Sequence, residues 1–429
     1  RTAIEPNILD DLVKKSVFFN NCISAAPYTS ASHGAIFSGT WPLKNDLYSF
    51  FNKTIKKKLI FEWAKESGYE TIFQTDFPII LGKYLELNRG ADHYFVEDEY
   101  AALKKTQEMR KSVSFFHFAG CHYPYGFHKL KFGGKDYIEK VNQLEKGYSI
   151  PKKESEDSLS ETFRDKIDQE YLLRYKNIIE TLYGRKDYDA LFNMYLEGIN
   201  YFFKNRFNSF LEIVIDYITK NNGLLVIFSD HGEEWDDYSY GHYNSADRGV
   251  LTLPIVVYTA ANEKNRKIIN DRISSIDVGA TLINIITGNI PDDLDGKSLK
   301  AQIFDSAKVE QGDSFAQIWR TKETFNELKK FQKNVIKEGK LLKAMPPYLE
   351  QEIVYWKNYR LHCTYSGNGK SSINRLVDTK NETVNDKKIE KVGLDKLKIY
   401  NSKYKVVKGS NIVTNFSIRK ELEAMGYNV

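Results

Sequence analysis

With 429 residues the chain can bury a large core, enough for two units or for one large α/β unit with an appendage. Its 62 Lys and Arg against 57 Asp and Glu leave a net charge of +5, thinly spread and with no basic stripe along one helix, which argues against a nucleic-acid partner. Cys22, Cys121 and Cys363 are too few and too scattered for a disulfide framework or a zinc finger, and no apolar run approaches the roughly 18 residues that a membrane span needs.

Residues 1–6 read neither as a signal peptide nor as a first strand, and no initiator Met is present, so the expectation is that more polypeptide belongs upstream. Pro6 opens a helical pattern carrying Leu9, Leu12 and Val13, and Val17, Phe18 and Phe19 follow as a short strand. In residues 26–42 small hydroxyl side chains precede a short helix that Gly39 ends. Thr29 and Ser30 therefore stand near a helix N-terminus, where free N–H groups and the dipole favour an anion; a helix cap is the plainer account of them. Residues 59–66 are amphipathic, and Gly68 stops that helix before a strand. Residues 113–118 form another strand, with His122 just past its end. His117, inside the strand pattern, reads as a packed core histidine. The polar and aromatic stretch 130–190 reads as an insertion with short helices, and 195–220 as one long helix.

That helix leads into Leu224-Leu225-Val226-Ile227-Phe228, five apolar residues that read as a strand buried on both faces at the centre of a parallel sheet. The run stops at Asp230 and His231, with Gly232 allowing a sharp turn. In open α/β sheets ligands sit beyond the carboxyl ends of the strands, so an acid and an imidazole there suit a metal or a reacting group. An acidic, aromatic loop with His242 follows, then a strand at 251–258 and a helix at 276–287 stopped by Gly288. From about 305 the periodicity weakens: helical patches at 322–337, strands at 359–365 and 404–407, and a last helix at 418–425. The expected organisation is a large α/β domain over 1–305 and a smaller C-terminal subdomain over 306–429.

Ser229-Asp230-His231-Gly232-Glu233 with Gly241-His242 downstream resembles the metal-binding strand end of the alkaline phosphatase superfamily, in its sulfatase, phosphodiesterase and phosphoglycerol or phosphoethanolamine transferase branch. Tyr28-Thr29-Ser30-Ala31-Ser32-His33 is similar to that branch's nucleophile turn, and His122-Tyr123-Pro124-Tyr125 to its substrate-side loop. The resemblance runs almost the full length. It implies an α/β fold in which a large mixed, mostly parallel sheet is flanked by helices and followed by a smaller α+β subdomain. Thr29 falls where the family keeps its nucleophile, and Asp230 and His231 fall on metal ligands. His122 and His242 fall near residues that contact the transferred anion or protonate the leaving group. A threonine hydroxyl needs a cation to lower its pKa before it can attack. Asp, His and a hydroxyl suit one divalent ion, Mn²⁺ or Zn²⁺ ahead of Mg²⁺ or Ca²⁺.

Two departures shape the expectation. Sulfatases that use formylglycine need Cys or Ser at the nucleophile position and Arg four residues on, where this chain has Thr29 and His33. Thr cannot be converted, which turns the reading toward phosphate-ester or phosphonate cleavage or phosphoryl transfer. The family's first strand also ends in acidic metal ligands upstream of Pro6, beyond residue 1. The leading reading is thus a metal-dependent hydrolase or transferase of phosphate esters through Thr29. The alternatives are a sulfatase, and a silent member that binds an anionic glycan or lipid headgroup. His33 faces the site or the surface on equal terms, and Arg248 reaches an anionic substrate or pairs near Asp247.

Overall fold

The computed structural model describes residues 3–404 apart from 50–54, 79, 83–84, 127–129, 153–165, 236–239, 243–245, 261–265, 306, 321–346 and 366–371. The expected helices at 322–337 and 418–425, and residues 405–407 of the expected strand, lie outside the described residues. Asn7 caps the first helix, α1 (Ile8–Val13): its side chain accepts from Leu9 N at 3.0 Å while Asp10 accepts from Asn7 N at 2.9 Å. Strand β1 (Val17–Ile23) follows, then α2 (Thr29–Ser38), which ends at Gly39 with φ +63°, and the short α3 (Pro42–Asn45). Next come α4 (Ile60–Glu66), β2 (Glu70–Thr75), β3 (His93–Val96), α5 (Glu99–Glu108) and β4 (Ser112–His117). These strands make a parallel sheet in the order β3-β2-β4, with Ile72 opposite both His93 and Ser114.

The 130–190 stretch departs from the expectation of short helices. It folds as α6 (Leu130–Gly147), broken at Gly134, and α7 (Lys166–Gly184), of 18 and 19 residues. Tyr137, Val141 and Leu144 pack against Leu172, Tyr175, Ile179 and Leu182 in one core cluster. Their three- and four-residue spacing makes an apolar stripe that abundant Lys and Glu on the outer faces dilute in the sequence. The expected single helix over 195–220 is α8 (Tyr188–Phe202) and α9 (Asn208–Lys220), joined without a break by a π-helical turn at Phe203–Phe207.

Strand β5 (Leu224–Phe228) precedes a short hairpin, β6 (Glu234–Trp235) with β7 (Tyr240–Gly241), then α10 (Arg248–Leu251) and β8 (Thr252–Thr259). With β9 (Lys267–Ile269) and β10 (Ile273–Ser274) they complete a mixed sheet, β10-β1-β8-β5, with β9 beside β1. Here β5 departs from its expected place. Among the described residues it pairs only with β8, antiparallel, and all five of its residues are half-buried. Leu224, Val226 and Phe228 join the cluster around α2, while Leu225 and Ile227 join the cluster under α1, α5 and α9. An apolar run reports that helices cover both faces; it carries no information about how many strands flank it.

Helices α11 (Ser275–Thr287) and α12 (Lys300–Phe304) close the large unit. Gly279 on α11 lets α2 approach: a Cβ there would lie 1.9 Å from Ile36 O and 3.0 Å from Gly39 N. Gly279→Ala is expected to cost about 2–3 kcal/mol, read as a lower urea midpoint at constant slope. An unmoved midpoint would show that the two helices can part freely. The C-terminal part is an antiparallel sheet, β11 (Ser314–Arg320), β12 (Tyr348–Trp356), β13 (Tyr359–Tyr365) and β14 (Ser372–Asp378), backed by α13 (Lys387–Lys403). Its inner face, Ala316, Ile318, Ile353 and Tyr355, packs on Ile23, Ala246 and Leu251. Among the described residues no helix is long and apolar enough to cross a membrane.

Candidate active site

Thr29 is the first residue of α2, and its hydroxyl is not spent on a cap. The N-cap is Tyr28, extended at φ −156° and ψ 149°, with no side-chain cap bond. Thr29 Oγ1 instead lies 3.3 Å from His231 Nε2. The end of β5 is held for this meeting by two hydroxyls, Ser24 and Ser32, each 2.7 Å from the Asp230 carbonyl oxygen. Gly232 N donates to Val250 O at 2.8 Å, and a Cβ on Gly232 would lie 2.2 Å from Gly249 O, so only glycine lets α10 pack there. His231 Nδ1 lies 3.1 Å from Gly232 O. A proton on Nδ1 donates to that carbonyl and leaves the Nε2 lone pair facing Thr29 Oγ1 and Asp230 Oδ2, the latter at 3.4 Å.

His33 lies one helical turn beyond Thr29 and is buried on the site side. Its Nδ1 is 3.0 Å from Thr29 O and 3.4 Å from Asp230 Oδ2. His117 is the packed histidine expected, with Nδ1 3.3 Å from Thr75 Oγ1 and its ring 5.8 Å from that of His33. On the other side, His242 stacks on His231 with ring centroids 4.2 Å apart, and His122 approaches His242 at 4.9 Å. His242 Nδ1 is 2.6 Å from Glu233 Oε1, and Tyr125 donates to Glu233 Oε2 at 3.3 Å. All the expected site residues, Thr29, His122, Asp230, His231 and His242, therefore converge. Sequence reasoning missed Glu233, Tyr125, Ser24 and Ser32. Glu233 stood inside the quoted pattern, but nothing in its spacing revealed a partner nine residues away.

The family model for sulfatases matches residues 3–288. The chain belongs to the sulfatase family. Several solved structures share the fold of this sulfatase-family chain. A phosphonate monoester hydrolase from Silicibacter pomeroyi superposes with a TM-score of 0.57 at 13% identity, covering 93% of this chain and 90% of its own. A protein solved with its substrate D-glucosamine-2-N,6-O-disulfate gives 0.59 at 12%, covering 92% of each chain. A 2-O GAG sulfatase gives 0.54 at 14%, covering 95% of this chain and 89% of its own. No curated protein sequence matches the chain. Family and fold make it an enzyme acting on sulfate or phosphate esters.

The electrostatics of the sulfatase-family site follow from its dryness. Burial opposes ionisation of Asp230, but the surrounding imidazoles of His231, His33, His117 and His242 outweigh it and hold the carboxyl well below the usual range. Burial pushes Glu233 up to about 7, against the pull of His122, His231 and the Tyr125 hydroxyl. Burial likewise lowers His122 to about 3 and His242 well below its ordinary value. A neutral Glu233 that donates to His242 Nδ1 fixes the ring with its remaining proton on Nε2. The family generally uses a divalent metal ion, and the donors here fit one: Thr29 Oγ1 and Asp230 Oδ2 each lie 3.3–3.4 Å from His231 Nε2. Such spacing is that of neighbouring ligands around a shared cation with bonds of about 2.0–2.6 Å. Among the described residues no group of three or more Asp, Glu, His or Cys side chains is arranged to hold a metal ion.

Proposed function

We propose that this enzyme cleaves or transfers phosphate-type esters, with the Thr29 hydroxyl as nucleophile. The supporting observation is the 3.3 Å approach of Thr29 Oγ1 to His231 Nε2, at a position where formylglycine chemistry would need Cys or Ser. Asp230, His231 and the Thr29 oxygen would hold one divalent cation, Mn²⁺ or Zn²⁺ ahead of Mg²⁺ or Ca²⁺. When bound, such an ion lowers the pKa of the hydroxyl and offsets charge on the non-bridging oxygens.

Thr29 Oγ1 attacks phosphorus: its O–H bond breaks with the proton passing to water, a bond to phosphorus forms, and the bond to the departing oxygen breaks. That oxygen leaves as an alcohol with the proton from His242 Nε2, which Glu233 replenishes at Nδ1. His122 lines the leaving-group side. Water then releases the phosphate from Thr29, or an acceptor alcohol does so in a transfer reaction. A sugar or lipid headgroup suits the leaving alcohol, in line with the sulfated amino sugar bound by one structural neighbour.

The test is a comparison of an aryl phosphodiester, an aryl phosphonate and an aryl sulfate, after chelation and after return of each of the four metals. The phosphate-type esters should exceed the sulfate by at least about tenfold in kcat/KM. A faster sulfate would make the enzyme a sulfatase, and silence on all three would leave a binding protein. His242→Ala sharpens the assignment of the acid. It should slow a phenyl ester by about 10²-fold but hardly touch a dinitrophenyl ester, whose leaving group needs no proton. Equal losses on both would remove His242 from that role.

A further inference from the structure

The C-terminal sheet turns a polar half toward the segment that follows His242. In its ladder Tyr355 stands opposite Arg360, and His362 stands opposite Arg375. Directly opposed residues of antiparallel strands project from one face, so these four share the face that packs on Ala246 and Leu251. Arg360 Nη2 lies 2.8 Å from Asp247 Oδ1, and Arg375 Nη1 lies 3.7 Å from Asp247 Oδ2. From the large domain, Arg248 donates to Thr379 O at 3.4 Å. Two guanidiniums thus flank one carboxylate, and a third, on Arg248, bonds to the neighbouring Thr379 carbonyl.

The cluster has an unmet valence. Arg360 is 4% exposed, and its Nη1 is buried without a hydrogen-bond partner among the described residues. The Tyr355 hydroxyl lies against the same guanidinium and interacts with it, with no other partner among the described residues. A buried N–H left unpaired is costly, the more so on a charged group, so the place calls for an acceptor with lone pairs and negative charge. Arg375, 46% exposed at its side chain, opens the cluster to solvent. The segment that carries Arg248 is tied to the turn after His231: Arg248 precedes Gly249, whose carbonyl lies against Gly232.

We propose that Arg360, Arg375 and Arg248 form an anion subsite that takes a second negatively charged group on the substrate whose scissile ester lies at Thr29. This rests on the reading of Thr29, Asp230 and His231 as the reacting centre. Sulfate, phosphate and carboxylate all present the paired oxygens that a planar guanidinium recognises. The ion pair with Asp247 holds Arg360 at Nη2 and leaves Nη1 for the ligand.

Calorimetric titration of the full chain with inorganic phosphate, inorganic sulfate and glucuronate decides the matter and shows which oxyanion is preferred. In a Thr29→Ala, His231→Ala background, one of them should still bind saturably. Arg375→Gln, a half-exposed change that leaves Asp247 paired with Arg360, should weaken that binding by at least about tenfold. Binding that is absent up to about 10 mM, or unchanged in Arg375→Gln, overturns the subsite. On catalysis, Arg375→Gln should raise KM for an ester bearing a second anionic group and leave a singly charged aryl ester unchanged; equal effects on both would also overturn it. If the enzyme turns over none of these esters, the reading of Thr29 fails, while the titration still decides the subsite.

Discussion

Thr29→Ala is expected to abolish turnover of an aryl phosphodiester, by at least about 10⁴-fold, while the chain stays folded. The size follows from what is lost. Removing the attacking atom of a covalent mechanism eliminates the intermediate and leaves only binding and electrostatic assistance. The stability effect should be small by comparison. Thr29 is 2% exposed, but its hydroxyl caps no helix, since Tyr28 holds the N-cap position without a side-chain bond. The truncation removes one methyl and one hydroxyl, worth about 1 kcal/mol. Thr29→Ser keeps the oxygen in place and should retain most of the rate. The measurement is kcat on the diester alongside the thermal midpoint of each variant. Unchanged turnover in Thr29→Ala would end the proposal that this hydroxyl attacks the ester. Loss of rate in the serine variant as well would point to the methyl group packing the oxygen against His231.

The parts of this site that were legible in the sequence share one property: their chemistry is local along the chain. Leu224 to Phe228 announce a strand, and its abrupt end at Asp230 and His231 places both at a sheet rim whatever the strand pairs with. Gly39 and Gly288 ended their helices as read, both with positive φ. That Thr29 meets His231 across 202 positions was available only through likeness to a family, since no periodicity connects a helix start to a distant strand end. His33 shows the limit plainly. Its offset of four from Thr29 puts both on one helix face, but α2 is buried all round, so the sequence offered no polar side against which to decide which way that face points. Glu233 was hidden for a different reason. Its pairing depends on a hairpin folding back so that His242 Nδ1 comes within 2.6 Å, and residues 234–240 are all polar or aromatic with no turn signature. Helix α13 escaped because Gly393, Leu397 and Tyr400 are its only buried residues, a thin stripe among lysines.

Arg206→Met is expected to destabilise the chain by about 3–5 kcal/mol. The π-helical turn between α8 and α9 swings Arg206 inward. There its Nη1 and Nη2 meet the two oxygens of Asp76 at 2.6 and 2.9 Å, while Nε and Nη2 meet those of Glu99 at 2.7 and 2.8 Å. The side chains of Asp76 and Glu99 are 0% and 7% exposed. Methionine fills much the same volume but strands two carboxylates away from water, and it is this uncompensated charge, more than the lost contacts, that sets the cost. Urea unfolding measures it directly. The decisive comparison is the triple variant Arg206→Met, Asp76→Asn, Glu99→Gln, which removes the charges together and should regain much of the loss. If it is no more stable than Arg206→Met alone, packing rather than charge explains the effect. The same variants reach the active site. Asp76 Oδ2 also accepts from Ala119 N at 3.1 Å, and Ala119 O accepts from His122 N at 3.0 Å. Without Arg206, Asp76 loses two of the bonds that fix it, beside the one it keeps from Gln74 Nε2 at 3.1 Å, and the anchor of the turn that presents His122 loosens. The rate on a phenyl ester should therefore fall in Arg206→Met even at temperatures where the variant is still fully folded.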